Sequence, residues 1–306
     1  MGNKNDRTAG CLIGLACGDA VGATLEFKDR GTFEPIADMI GGGPFNLRPG
    51  EWTDDTSMAL CLASSLIECN GFNAKDQMDR YSRWHREGYL SSTGKCFDIG
   101  GTVTTALRAF GFTGKPFSGP TDEFSAGNGS IMRLAPIPMY YSDWAEAIKY
   151  SGESSRTTHG ATECIAACKL LGSMLYKAIR GDSKDNILFG FHFPKNLETP
   201  LPSKIKEIAE GKYRDKESRN IRGTGYVVQS LEAALWCFHT TDNFKAAILC
   251  AANLGNDADT TAAICGQIAG AYYGLGNIPN EWHQRLAKLY LIEDIITDFT
   301  QISVIK

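Results

Sequence analysis

What the sequence lacks narrows its chemistry first. There is no H-E-x-x-H, and His85, His159, His192, His239 and His283 stand singly, so the common zinc spacings are missing. No C-x-x-C pair occurs among the ten cysteines. Lys95, Lys115 and Lys212 each follow a glycine, but none has the earlier glycine that a Walker A loop requires. No G-x-S-x-G elbow appears, and strand-like alternation is scarce, so neither an α/β-hydrolase nor a Rossmann unit fits. No uncharged apolar run approaches the length of a membrane span, and MGNKNDRTAG lacks the shape of a signal peptide. A net charge of -4 argues against a nucleic-acid binder held by phosphate contacts. The expectation is a cytoplasmic protein with no membrane span and no nucleic-acid partner.

What is present is an ordinary globular composition, 43% hydrophobic and 22% charged, in 306 residues. Eight of the ten cysteines (Cys11, Cys17, Cys61, Cys164, Cys168, Cys237, Cys250 and Cys265) sit in apolar, helix-like runs and read as small core residues in a reducing compartment. Helical periodicity recurs at 7–20, from Thr53, at 73–87, from near Gly100, and near 143–151, 159–180, 226–239, 242–253, 260–273 and 281–301. A loop rich in glycine and proline, with Gly41, Gly42, Gly43, Pro44 and Pro49, is long enough to act as a lid. The stretch 181–222 is more charged and reads as an irregular surface segment. No composition break and no repeat period divide the chain, which predicts a single all-α domain over 1–306.

Two acidic runs carry the chemistry. Thr53-Asp54-Asp55-Thr56 and Asp257-Ala258-Asp259-Thr260-Thr261 each open a helix too apolar to lie exposed. One Asp or Thr is enough to cap a helix, so either run taken alone reads equally as an over-capped helix. Together they offer four carboxylates and several hydroxyls, an oxygen-only set suited to Mg²⁺, Mn²⁺ or Ca²⁺. An EF-hand fails, because counting from Asp257 puts Ala262 at position 6 and Ile268 at position 12. Two glycine turns beside helix starts, Asp98-Ile99-Gly100-Gly101-Thr102 and Gly127-Asn128-Gly129-Ser130, could present N–H groups to phosphate or be ordinary turns.

In this order the motifs GLACGDAVGATLEF, EWTDDTSMAL, FDIGGTVTTAL, AGNGSIMRLAP, THGATECIAA and NDADTTAAICGQIAGAYYG resemble the ADP-ribosylglycohydrolases over residues 9 to 276. The likeness is strongest to the dinitrogenase-reductase-activating glycohydrolases and ADP-ribosylarginine hydrolases. It implies a compact orthogonal multi-helix bundle with a dinuclear metal cleft and two divalent cations, Mg²⁺ or Mn²⁺. Such an enzyme removes ADP-ribose from a modified protein, commonly at arginine, and acts as a monomer. The resemblance implies Thr53, Asp54, Asp55, Asp257, Asp259 and Thr260 as metal ligands, with Asp55 and Asp259 linking the two ions. It implies Glu26, Asp55 and Asp98 in catalysis and Gly100, Gly101 and Thr102 at the substrate. It places the diphosphate on Gly127, Asn128, Gly129 and Ser130, with His159 touching substrate and Tyr226 packing on adenine. Gly101 departs from the Asp or Asn common among relatives. The same scaffold could instead cleave ADP-ribosyl-serine or O-acetyl-ADP-ribose, or serve as a silent ADP-ribose reader or crystallin-like structural relative.

Overall fold

The computed structural model describes residues 3–189 and 200–305. Its organising element is a glycine ladder. In α1 (Lys4–Gly22) glycine recurs every fourth residue at Gly10, Gly14, Gly18 and Gly22, forming one stripe along the helix. That stripe packs on α12 (Ala258–Tyr273) so closely that a Cβ on any of the four would overlap a main-chain carbonyl, of Gly270, Gly266, Ala262 and Ala258 respectively. Gly266 and Gly270 repeat the constraint from the other side. The two backbones therefore meet at a fixed register, and α12 sits at the centre, flanked also by α7 (Thr162–Arg180), α10 (Val227–Thr240) and α11 (Phe244–Ala252).

The outer helices show their amphipathic origin. In α3 (Ala74–Glu87), Asn73 accepts from the Asp76 N–H, Gly88 ends the helix at φ 68°, and Met78, Tyr81 and Trp84 turn inward. Its outer face carries i,i+4 pairs such as Lys75–Asp79 and Arg83–Glu87. α2 (Asp54–Glu68), α4 (Gly101–Thr113), α5 (Pro136–Tyr140) and α6 (Trp144–Thr158) complete the first half of the chain. α8 (Lys184–Phe189) and α9 (Ser203–Ala209) lie within 181–222 and bury Ile187, Leu188, Ile205 and Ile208, while 190–199 fall outside the described residues. No strand forms among the described residues; Gly42–Leu47 and Gly127–Tyr226 are isolated bridges.

Several expectations need correction. The segment 281–301 is two helices, α13 (Asn280–Arg285) and α14 (Leu289–Ile305), broken where Gly50 packs against the Arg285 carbonyl and accepts from the Ala287 N–H. His159 does not open a helix: its N–H bonds to the Ser155 carbonyl, so it closes α6. The long loop is tied to the body of the fold at several points. Thr24 donates to the Gly41 carbonyl, Asn253 pairs both ways with the Ile36 backbone, and Met39 and Trp52 are buried. The stretch Lys4–Leu25 is, by length and composition, apolar enough to cross a membrane, although it is not uncharged, since it carries Lys4, Asp6, Arg7 and Asp19. Its apolar window is wholly buried within the protein, with the glycine stripe on α12 and Leu12, Ile13, Leu15 and Val21 in the core. All ten cysteines are free, and Cys69, Cys96 and Cys250 are only partly buried.

Candidate active site

The two acidic helix heads converge, and neither is self-capped. At α2 the N-cap Thr53 makes no side-chain cap bond. The cap comes from α1: Asp19 Oδ1 accepts from the Thr53 N–H (2.8 Å) and Oγ1 (2.9 Å), and Oδ2 from the Thr56 N–H (3.0 Å) and Oγ1 (2.6 Å). At α12 the N-cap Asp257 likewise makes no cap bond, and Glu26 Oε2 accepts from the Ala258 N–H at 2.8 Å. The chain at and beyond the end of α1 thus delivers one carboxylate to each head. This relieves Asp54, Asp55 and Asp257 of capping the free N–H groups of their helices, while Asp259 Oδ1 takes one of them, the Thr260 N–H at 2.7 Å.

The released oxygens crowd together. Among the described residues, one ligand atom from each of Asp19, Asp55 and Asp259 lies within 4.8 Å of the others, and the same holds for Glu26, Asp257 and Asp259. Asp259 belongs to both groups, Asp55 to one and Asp54 to neither. The Thr53 hydroxyl lies 2.9 Å from Asp19, 3.2 Å from Asp55 and 3.2 Å from Asp259, yet it has one proton to donate. Asp55 Oδ1 is buried with no hydrogen-bond partner. Burial first, then neighbouring charge, lifts these groups: Asp19, Asp257 and Asp259 to about 7, and Asp54, Asp55 and Glu26 well above the carboxylate range. Asp98 rises to about 6, with burial the largest cause. Two bare carboxylates 4 Å apart repel by roughly 4 kcal/mol at an effective dielectric near 20. Hard oxygen donors, an orphaned carboxylate oxygen and no cation among them fit divalent ions of the Mg²⁺ type.

Beside the acids lies a cleft of about 310 Å³, lined by Glu26, Asp54, Asp98, Asp257, Asp259 and Thr260 on one side and by Gly127, Asn128, Gly129 and His159 on the other. Gly100, Gly101 and Thr102 line it as well, and α4 begins there with no side-chain cap, so its free N–H groups open toward the cleft. Thr53 and Asp55 are wholly buried behind the wall. Ser130 also sits behind it, accepting from the Ser155 hydroxyl at 3.0 Å. The Asn128 side chain bridges the halves, donating to Asp257 (2.9 Å) and Ser230 (2.8 Å). Tyr226 is not part of the cleft wall. Its hydroxyl donates to Glu163 and accepts from Lys204, beside a separate cavity of about 170 Å³ that includes Glu163 and Ala126.

Two side chains escaped the sequence reading. Asp19 is one: a lone acid after Gly18 has no visible partner until α2 is brought against it. Arg133 is the other. Fully buried and stacked on Tyr81, it donates to the Gly129 carbonyl (2.7 Å) and to Thr158 Oγ1 (2.7 Å), tying the glycine turn to the end of α6. Thr158 Oγ1 lies 2.9 Å from His159 Nδ1. The other edge of the ring, at Nε2, faces Gly127 and Gly129. Burial and then the Arg133 charge depress His159 to about 3, leaving the ring neutral at the cleft.

A family model described as ADP-ribosylglycohydrolase matches residues 2–304. Over 291 residues the chain is 44% identical to the ADP-ribosylarginine hydrolase Tri1 of Serratia proteamaculans (strain 568), covering 95% of this chain and 78% of that protein. It is 31% identical over 293 residues to the ADP-ribosyl-[dinitrogen reductase] glycohydrolase of Rhodospirillum rubrum, covering 92% and 90%. A solved structure, an ADP-ribosylglycohydrolase-related protein complex, superposes with a TM-score of 0.86 at 40% identity, covering 99% of this chain and all of that one.

Proposed function

The chain belongs to the ADP-ribosylglycohydrolase family, and from that premise we propose that it releases ADP-ribose from arginine side chains of modified proteins. The observation that carries the reading is the two buried acid groups sharing Asp259, with the unpartnered Asp55 oxygen among them and a cleft alongside that they line together with the Gly100–Thr102 and Gly127–Gly129 turns. Thr53, Asp55, Asp257, Asp259 and Thr260, with Asp54 at the cleft face, are the residues that would hold Mg²⁺ or Mn²⁺. Bound there, the ions supply Lewis-acid charge that the acids alone lack.

The chain's own groups divide the remaining work. The free N–H groups of α4 and the Gly127–Gly129 turn receive the diphosphate, and neutral His159 lines the same wall without adding charge. Binding energy gathered at that end holds the ribosyl carbon over the acids. Water adds to that carbon while the carbon–nitrogen bond breaks through an oxocarbenium-like state, and the proton released by water ends on the guanidine. Glu26 and Asp98 reach the cleft surface and stand as the candidate proton carriers, whereas Asp55 lies behind the wall and holds position. We place the enzyme in the cytoplasm as a monomer, a setting with which ten free cysteines agree.

The test is to incubate the protein and Mg²⁺ with arginine- and serine-ADP-ribosylated proteins and with O-acetyl-ADP-ribose, following free ADP-ribose. Release from the arginine conjugate is expected. Release only from serine or from the acetyl ester would move the assignment to that linkage. Tight ADP-ribose binding with no release would make the protein a reader.

A further inference from the structure

One aromatic side chain at the cleft is placed where the fold gives no reason for it. Phe27 directly follows Glu26, lines the cleft and is 67% exposed. Its backbone is left-handed at φ 60°, a conformation that bulky residues avoid. A dedicated bracket holds it so. The Phe27 N–H donates to the Asn256 carbonyl and the Asn256 N–H donates to the Lys28 carbonyl, each at 2.7 Å, with Asn256 itself left-handed at φ 58°. Gly255 leaves the bracket room, since a Cβ there would meet the Lys28 carbonyl at 2.5 Å. The chain thus accepts a strained backbone to hold an apolar ring in water at the edge of an acidic cleft.

The ring does not stand alone. Phe45 meets it edge-on with centroids 6.2 Å apart, and Phe97 lies 5.3 Å beyond Phe45. Phe97 immediately precedes Asp98, which is left-handed as well at φ 61°. The row Phe27–Phe45–Phe97 therefore runs from the neighbour of one candidate proton carrier to the neighbour of the other.

We propose that Phe27, supported by Phe45, is the specificity residue for the protein side of the scissile bond, its ring face receiving the planar guanidinium of the modified arginine. The inference rests on the arginine reading above and goes further by naming the surface that recognises that leaving group. A guanidinium is planar, weakly hydrated and positively charged, so it is the side chain best matched to a ring face set beside carboxylates. A serine linkage offers no cation and gains nothing from the ring. The row would thus discriminate between linkages that share the same ADP-ribose.

The experiment compares wild type, Phe27→Ala and Phe27→Tyr on an arginine-ADP-ribosylated protein, and measures free ADP-ribose binding by calorimetry. Phe27→Ala should raise KM by roughly three- to thirty-fold, the range of one cation–π contact, with kcat within about twofold. The affinity for free ADP-ribose, which lacks the guanidinium, should not change, and Phe27→Tyr should restore KM. An unchanged KM in Phe27→Ala, or a parallel loss of ADP-ribose affinity, would overturn the inference while leaving the arginine assignment standing. A wild-type protein that fails to cleave the arginine conjugate would overturn that assignment and this inference with it.

Discussion

Binding of Mg²⁺ should change the thermal stability of this protein in a way that depends on pH and on Asp259. Asp259 is 2% exposed and shared by both acid groups. Burial, then the Asp98 charge, raises it from an ordinary 3.8 to about 7. A carboxyl raised in the folded state contributes stability that is fully present below its unfolded value, near 3.8, and is lost as pH rises through the folded value. The metal-free protein should therefore weaken between pH 5.5 and 8. One such group contributes about 2 kcal/mol over that window, at about 1.4 kcal/mol per unit up to its folded value. For a chain of this length the unfolding entropy is roughly 0.6 kcal/mol/K, so that loss is about 3 °C in Tm. Mg²⁺ at a hundred times its Kd would add about 2.7 kcal/mol, or about 4 °C, at pH 8. The gain should shrink at pH 5.5, where protons compete for the same oxygens. Differential scanning calorimetry of chelator-stripped wild type and Asp259→Asn at both pH values reads all of this. The Asn variant should gain stability without metal at pH 8 and lose most of the Mg²⁺ response. An equal Mg²⁺ shift in both proteins would refute the assignment of the ion to these carboxylates.

Other substitutions test separate parts of the account. Gly14→Ala should destabilise by about 1–3 kcal/mol through overlap with the Gly266 carbonyl, whereas Gly111→Ala in α4, with open space around it, should be neutral or stabilising by up to about 1 kcal/mol; melting curves decide. Asp19→Ala removes the acceptor at the head of α2 and should cut kcat by at least tenfold, although Asp19 does not line the cleft; steady-state kinetics with circular dichroism as a folding control would show it. Arg133→Met should loosen the glycine turn from Thr158 and raise KM for the ADP-ribosylated substrate several-fold, more than it lowers kcat.

Part of this structure was legible in the residues. Helix heads carrying Asp54, Asp55, Asp257 and Asp259 stand out because acids rarely lead helices as apolar as α2 and α12. Their mutual contact, and the sharing of Asp259, follow from the register of α1 on α12. That register is written in glycines spaced by four, a pattern visible in the sequence that names no partner until the second helix is seen. Asp19 was unreadable for the same reason: its chemistry lies in the bonds it makes to Thr53 and Thr56, 34 and 37 residues away. The end of α6 was misplaced because Thr157 and Thr158 look like caps for a following helix. In the fold they face Arg133, and His159 closes the helix behind them. The break before α14 is a tertiary effect of Gly50. Exposure of Phe27 has no counterpart in local pattern, since an apolar residue beside Leu25 reads as core.

The most direct test is ADP-ribose release from an arginine-ADP-ribosylated protein as Mg²⁺ is titrated into chelator-stripped enzyme, with wild type and Asp259→Asn side by side. Wild type should be silent without metal and rise to saturation with it, while Asp259→Asn stays silent throughout despite an intact fold. Full release in the presence of chelator, or undiminished turnover by Asp259→Asn, would contradict a metal-assisted hydrolase built on these carboxylates.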